Sequence, residues 1–221
     1  MSSFDLGYVL DFLSDLAVNN DRAWFAKHKA TYEKARSIFE EFVDELIHRL
    51  SASEDDVAGL TAKDCVMRIY RDIRFSRDKT PYKTWMAALI ASGGRKSGRC
   101  GYGLLLGPSH TMAAGGFWEP KPEQLAMFRR AVDRDPQTIL AIVEAQKFLQ
   151  TFGALKGEKL VKAPQGYAKD HIAIELLRLK QVYVARSFSH PEVCAGDFAD
   201  LLMDAFRAMK PFLNYLNDAV A

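Results

Sequence analysis

Along the first fifty residues apolar side chains return every three or four positions, the spacing of one helical face. Leu6, Val9, Leu10, Leu13 and Leu16 make one such face, and Ile38, Phe39, Phe42, Val43, Leu46 and Ile47 make another. Between them Asn20-Asp21 offers a cap for a helix beginning with Trp24-Phe25. The acidic residues of this stretch fit the solvated sides of the same helices. After the polar SASEDD the texture changes to β-branched and aromatic residues punctuated by glycines. CVMRIYRDIRFS, WMAALIASGG and GYGLLLGPSHTMAAGGFW predict antiparallel strands, with Gly107-Pro108-Ser109 as a turn between two of them.

Beyond Pro120 the helical period returns, at about 121–134 and 136–146. A short extended piece near Leu160 leads to a helix capped by Asp170, and a further strand runs from Val182 to Phe188. A last helix spans about 197–217, on the stripe Phe198, Leu202, Phe206, Met209, Leu213 and Leu216. This order predicts an α+β fold, a central antiparallel sheet flanked by N-terminal and C-terminal helices. With no internal repeat and no linker-like stretch, residues 1–221 are expected to form a single domain.

Composition is that of an ordinary globular protein, 48% apolar and 26% charged, which excludes a disordered chain. The N-terminus has neither a basic start nor a long apolar run, so no signal peptide is expected, and Met86 to Ala91 is too short to span a bilayer. Cys65, Cys100 and Cys194 match neither a zinc ribbon nor a CxxC pair, which fits a reducing, cytoplasmic setting. His28, His48, His110, His171 and His190 show no HxH or HExxH spacing, so neither a metal nor a cofactor is expected.

Charge changes the picture more. The net value is +2, yet residues 1–60 hold six Lys/Arg against twelve Asp/Glu, while residues 63–103 hold ten against three. The excess peaks in RIYRDIRFSRDKTPYK, residues 68–83, with six cations and two carboxylates. Its alternation predicts a strand with Cys65, Met67, Ile69, Ile73 and Phe75 inward and Arg68, Asp72, Arg74 and Ser76 outward. Arg71 falls on the inward side, where an unpaired charge is untenable. Its partner is either an internal carboxylate or a ligand phosphate or carboxylate gripped by the guanidinium. The following turn crowds Ser76, Asp78, Lys79, Thr80, Tyr82 and Lys83, a set that suits an oxyanion but lacks the glycines of a P-loop.

The ligand-binding candidates are therefore Arg68, Arg71, Arg74, Lys79 and Lys83. His171, behind Asp170 at an expected helix start, is the candidate for proton transfer, together with Asp72 or Asp78. GYG at 101–103 and AAGG at 113–116 precede no βαβ unit and fit strand glycines where another backbone or a ring approaches closely. Ser109 and Ser187 lack a GxSxG context. Trp85, Phe117 and Trp118 can stack on bases, although buried packing is the commoner fate of such rings.

The expected function is that of a binding protein whose Arg/Lys-lined pocket takes a phosphorylated or carboxylated small ligand. One alternative is an enzyme acting on such an anion; another is a structural or nucleic-acid-contacting module, with nucleic acid the subordinate expectation. No membrane partner is expected.

RIYRDIRFSRDKTPYK also resembles the hallmark of a widespread, mainly bacterial family of conserved hypothetical proteins, a domain of unknown function. The resemblance runs through Asn19-Asn20, Trp24-Phe25, Gly115-Gly116, Pro120, Gly166-Tyr167, Asp170-His171, Leu177 and Lys180. Ile172 stands where the family often has proline, and Ala114 where a third glycine is usual. It implies an α+β fold and brings no established activity.

Overall fold

The computed structural model describes residues 4–221. In chain order the helices α1 (Leu6–Val18), α2 (Arg22–Lys27), α3 (Lys29–Ser51) and α4 (Ala62–Cys65) precede strands β1 (Met86–Ile90), β2 (Tyr102–Leu106) and β3 (Thr111–Phe117). Then come α5 (Pro122–Arg134), α6 (Pro136–Val143), α7 (Gln146–Phe152), α8 (Ile174–Leu177), β4 (Val182–Phe188), α9 (His190–Cys194) and α10 (Phe198–Ala219). The four strands make one antiparallel sheet in the order β1-β2-β3-β4, and with half the residues helical the fold is α+β.

The residues group into two compact units, the first taking the chain through Gly98 with Gly103–Ala113 and Ser187–Met203. Here the predicted faces of α1 and α3 are buried: Leu13, Leu16, Phe39, Val43 and Leu46 are sealed from solvent. Phe42 stacks on Phe198 at 5.8 Å. Burying each such ring contributes about 1.5–3 kcal/mol. Asp21 caps α2 as expected, accepting from the N–H groups of Ala23 and Trp24 at 2.8 and 2.9 Å. The Gly107 turn is closed by the Thr111 hydroxyl, which donates to the Gly107 carbonyl at 3.2 Å.

The second unit holds Arg99–Tyr102, Ala114–Arg186 and Asp204–Ala221. Phe128, Val132, Ile139, Phe148, Phe206 and Phe212 supply its core. A Cβ at Gly115 would strike Met209 Sδ, and one at Gly116, whose φ is +118°, would meet the Val182 carbonyl. The AAGG stretch is thus a site of close approach by a helix and a neighbouring backbone, as its strand reading implies.

The extended piece near Leu160 is present, bridging Lys156 to Tyr183 and Lys159 to Leu179 in antiparallel sense. One local expectation fails. Asp170 caps no helix: α8 begins four residues later, with Ala173 in the cap position. The N–H of that cap residue, Ala173, is taken by His171 Nδ1 at 3.0 Å, and no side chain caps the first turn of α8.

Candidate functional site

The arginine-rich segment is not the regular strand its alternation predicts. Val66 bridges Ala88 of β1 and Tyr70 bridges Tyr82, with Met67, Lys83 and Arg71 donating main-chain hydrogen bonds to Ala87, Ile69 and Pro81 at 2.8, 2.8 and 2.9 Å. This irregular antiparallel ribbon ends at Arg71. Residues 72–80 form an excursion without regular structure. Ile69 is buried as expected, but Phe75 is 95% exposed: inward alternation requires a packed face, and past Arg71 there is no ladder to define one.

The ribbon is anchored from the N-terminal helices. Asn20 Nδ2 donates to the Tyr82 carbonyl at 2.9 Å, and the Tyr82 N–H donates back to Asn20 Oδ1 at 3.1 Å. Phe25 stacks on the Tyr82 ring at 4.0 Å. Nothing local in the sequence marks Asn20 for this role, since its partner lies 62 positions away.

Arg71 finds the internal partner of the two anticipated. Its Nη1 donates to Asp78 Oδ2 at 2.6 Å, to the Thr80 carbonyl at 3.1 Å and to the Thr80 hydroxyl. The site is shallower than expected, with the Arg71 side chain 26% exposed and that of Asp78 58%. Asp78 also accepts from the Thr80 N–H and hydroxyl at 2.9 and 2.8 Å; these bonds, then Arg71, hold its carboxyl down at about 2. Asp72 grips Arg74 with both oxygens, 3.0 Å to Nε and 2.7 Å to Nη2, and this guanidinium likewise holds its carboxyl at about 2. A carboxylate that protonates only near pH 2 is a weak base at neutral pH and no general acid. Lys79 Nζ donates to the Ile73 carbonyl at 2.9 Å. The Lys83 ammonium lies 4.6 Å from the Trp85 ring centre, its pKa lowered by burial and then by Arg68.

His171 belongs to the second unit. Its Nδ1 accepts from Ala173, which leaves the neutral ring's proton on Nε2, 3.5 Å from Asp133 Oδ1. Nδ1 is therefore engaged within the protein, while Nε2 lies near the Asp133 carboxylate without a hydrogen bond to it.

Two cavities border the ribbon. One, of about 180 Å³, is lined by Tyr32, Arg36, Lys63, Arg68, Tyr70 and Arg95, with Glu40 and apolar residues completing the wall. The other, of about 480 Å³, is lined by Arg71, Asp78, Thr80, Lys83 and Trp85 among others. Arg68 and Lys83 thus face different cavities, and Arg74 and Lys79 line neither.

In the smaller cavity Glu40 is committed to Arg36, at 2.8 Å to Nε and 2.7 Å to Nη2. Arg95 is held by main chain instead: its N–H donates to the Asp64 carbonyl at 3.0 Å and its guanidinium to the Lys63 carbonyl. Burial pushes the Tyr32 phenol up, against the pull of Arg36. Arg36, Lys63 and Arg95 were not anticipated from the sequence. Among the described residues no three metal-ligating side chains gather into a site.

These features define an α+β protein with a cationic, tyrosine-lined cavity beside an exposed arginine-rich loop. The chain belongs to the family described as conserved hypothetical protein (DUF2461), whose model matches residues 8–215. No curated protein and no solved structure matches it. No helix among the described residues is long and apolar enough to cross a membrane.

Proposed function

We propose that this protein binds a small phosphorylated or carboxylated molecule in the cavity lined by Arg68, Lys63, Arg95, Arg36, Tyr32 and Tyr70. One observation carries the reading: four cations meet a single carboxylate there, and that carboxylate is already paired with Arg36. Lys63, Arg68 and Arg95 make no ion pair with a described residue; Arg95 is held by carbonyl oxygens, and Asp64 and Asp72, which feel Arg95 and Arg68 at longer range, line no part of this cavity. Like charges gathered in a partly enclosed space repel and lose hydration, and an entering anion relieves both costs. Two phenols offer further donors, while Val66, Ile69 and Met86 provide an apolar wall for a short carbon skeleton.

Binding is favoured over proton transfer because Asp72 and Asp78 are held ionised by their hydrogen bonds and His171, whose Nδ1 is taken by Ala173, lines neither cavity beside the ribbon. Thermal melts in phosphate, sulfate, sugar phosphates and dicarboxylates test the proposal. A ligand at a hundred times its Kd stabilises the folded state by about 2.7 kcal/mol and raises the melting temperature accordingly. Arg68→Ala and Arg95→Ala should abolish that rise. Arg207→Ala, whose exposed side chain pairs with Asp204 in the second unit, should retain it. An equal response from all three variants, or none from the wild type, refutes the assignment.

A further inference from the structure

Phe75, predicted to point inward, is the most exposed large apolar side chain among the described residues, at 95%. It stands in the 72–80 excursion between Arg74 and the exposed Arg77. Asp72 binds the Nε–Nη2 edge of Arg74 and so pins a flat guanidinium, whose carbon lies 5.8 Å from the Phe75 ring centre. The Nη1 edge of that group remains available, because a carboxylate fork occupies only one edge. The guanidinium thus lies over the Phe75 ring in solvent, and the ring's opposite face is open. Folding gains no apolar burial from this placement.

We propose that this loop is a contact site for single-stranded nucleic acid, with a base stacked on the open face of Phe75 and the backbone phosphates met by Arg77 and Lys79. The inference is independent of the cavity assigned above. Residues 68–83 carry six cations against two carboxylates, a local excess that complements a polyanion. Four of the six are arginines, whose planar forks both stack on bases and bind phosphate, whereas attraction to an anionic lipid surface is indifferent to the choice between arginine and lysine. Only one fully exposed apolar side chain stands in the loop, flanked by Arg74 and Ser76, too little for insertion into a bilayer. A lone exposed ring needs the open face of an unstacked base, which a duplex does not present along its length.

The test is fluorescence anisotropy of a labelled oligothymidylate titrated with the full chain over a series of KCl concentrations. A labelled hairpin duplex and phosphatidylserine vesicles run in parallel. The single strand should bind most tightly, with affinity falling steeply as salt rises. Phe75→Ala should weaken binding about tenfold with an unchanged salt slope and an unchanged melting temperature, while Phe75→Trp preserves binding. Arg77→Ala should weaken it and lower the slope by about one. Arg95→Ala, which removes the anion response of the cavity, should leave oligonucleotide binding intact, so the two readings fail separately. Equal affinity of wild type and Phe75→Ala, preference for the duplex, or absence of oligonucleotide binding at low salt overturns the proposal. Phe75-dependent vesicle binding without oligonucleotide binding assigns the loop to lipid instead.

Discussion

Replacing Asn20 by alanine tests whether the N-terminal helices hold the arginine-rich ribbon in position. The side chain makes two hydrogen bonds to the main chain of Tyr82, at 2.9 and 3.1 Å, and Tyr82 is 6% exposed. Each such bond contributes about 0.5–1.5 kcal/mol net, and a backbone group stranded away from water costs about 1–3 kcal/mol. Two stranded groups, partly rescued by water entering where the half-buried amide stood, put the loss at about 2–4 kcal/mol. Urea denaturation with an unchanged m-value measures it. Amide hydrogen exchange at Tyr82 localises it, since the N–H loses its acceptor. Asn20→Asp keeps an acceptor for that N–H but sets a carboxylate oxygen against the Tyr82 carbonyl. Its stability should fall between wild type and alanine, with the Tyr82 amide still protected. A loss below about 0.5 kcal/mol for Asn20→Ala, or unchanged exchange at Tyr82, refutes the anchoring role.

Three further outcomes are expected. Asp72 and Asp78 have folded-state pKa values of about 2, below the roughly 3.9 of an unfolded aspartate; the stability they confer is complete above the latter value and lost as pH falls through the former. Melting temperature followed from pH 6 to pH 2 should therefore fall less steeply in Asp78→Asn than in wild type, and parallel curves would dissociate Asp78 from acid sensitivity. Arg71→Ala should cost about 1 kcal/mol in denaturant melts, the value of a half-exposed pair, and a loss above about 3 kcal/mol would mean that Arg71 is buried more deeply than its 26% exposure indicates. Gly115→Ala should destabilise by about 1–3 kcal/mol, because the new methyl meets Met209 and the Gly101 carbonyl; a neutral result in thermal melts would show that α10 yields there.

The amino-acid sequence by itself determined the elements whose cause is local. The three-and-four spacing of α1, α3, α5 and α10, the Asp21 cap, the apolar run of β1 and the valine- and aromatic-bearing run of β4, and the close-approach glycines at 115 and 116 are all legible from neighbours within a few residues. So was the concentration of charge in residues 68–83, together with family membership. Tertiary structure alone decided which cations share a cavity. Arg36 comes from α3, Lys63 from α4, Arg68 from the ribbon and Arg95 from the glycine loop, and no spacing along the chain encodes their meeting. The same holds for Phe75. Alternation assigns a side chain to a face only while a neighbouring strand and a core define that face, and main-chain pairing of the ribbon stops at Arg71. Asp170 and His171 mark the boundary most sharply: either residue type can satisfy a free N–H, but the chain turns so that the histidine ring, not the carboxylate, reaches Ala173. Which N–H groups are free at all depends on where a helix starts in three dimensions, which packing decides and propensity only suggests.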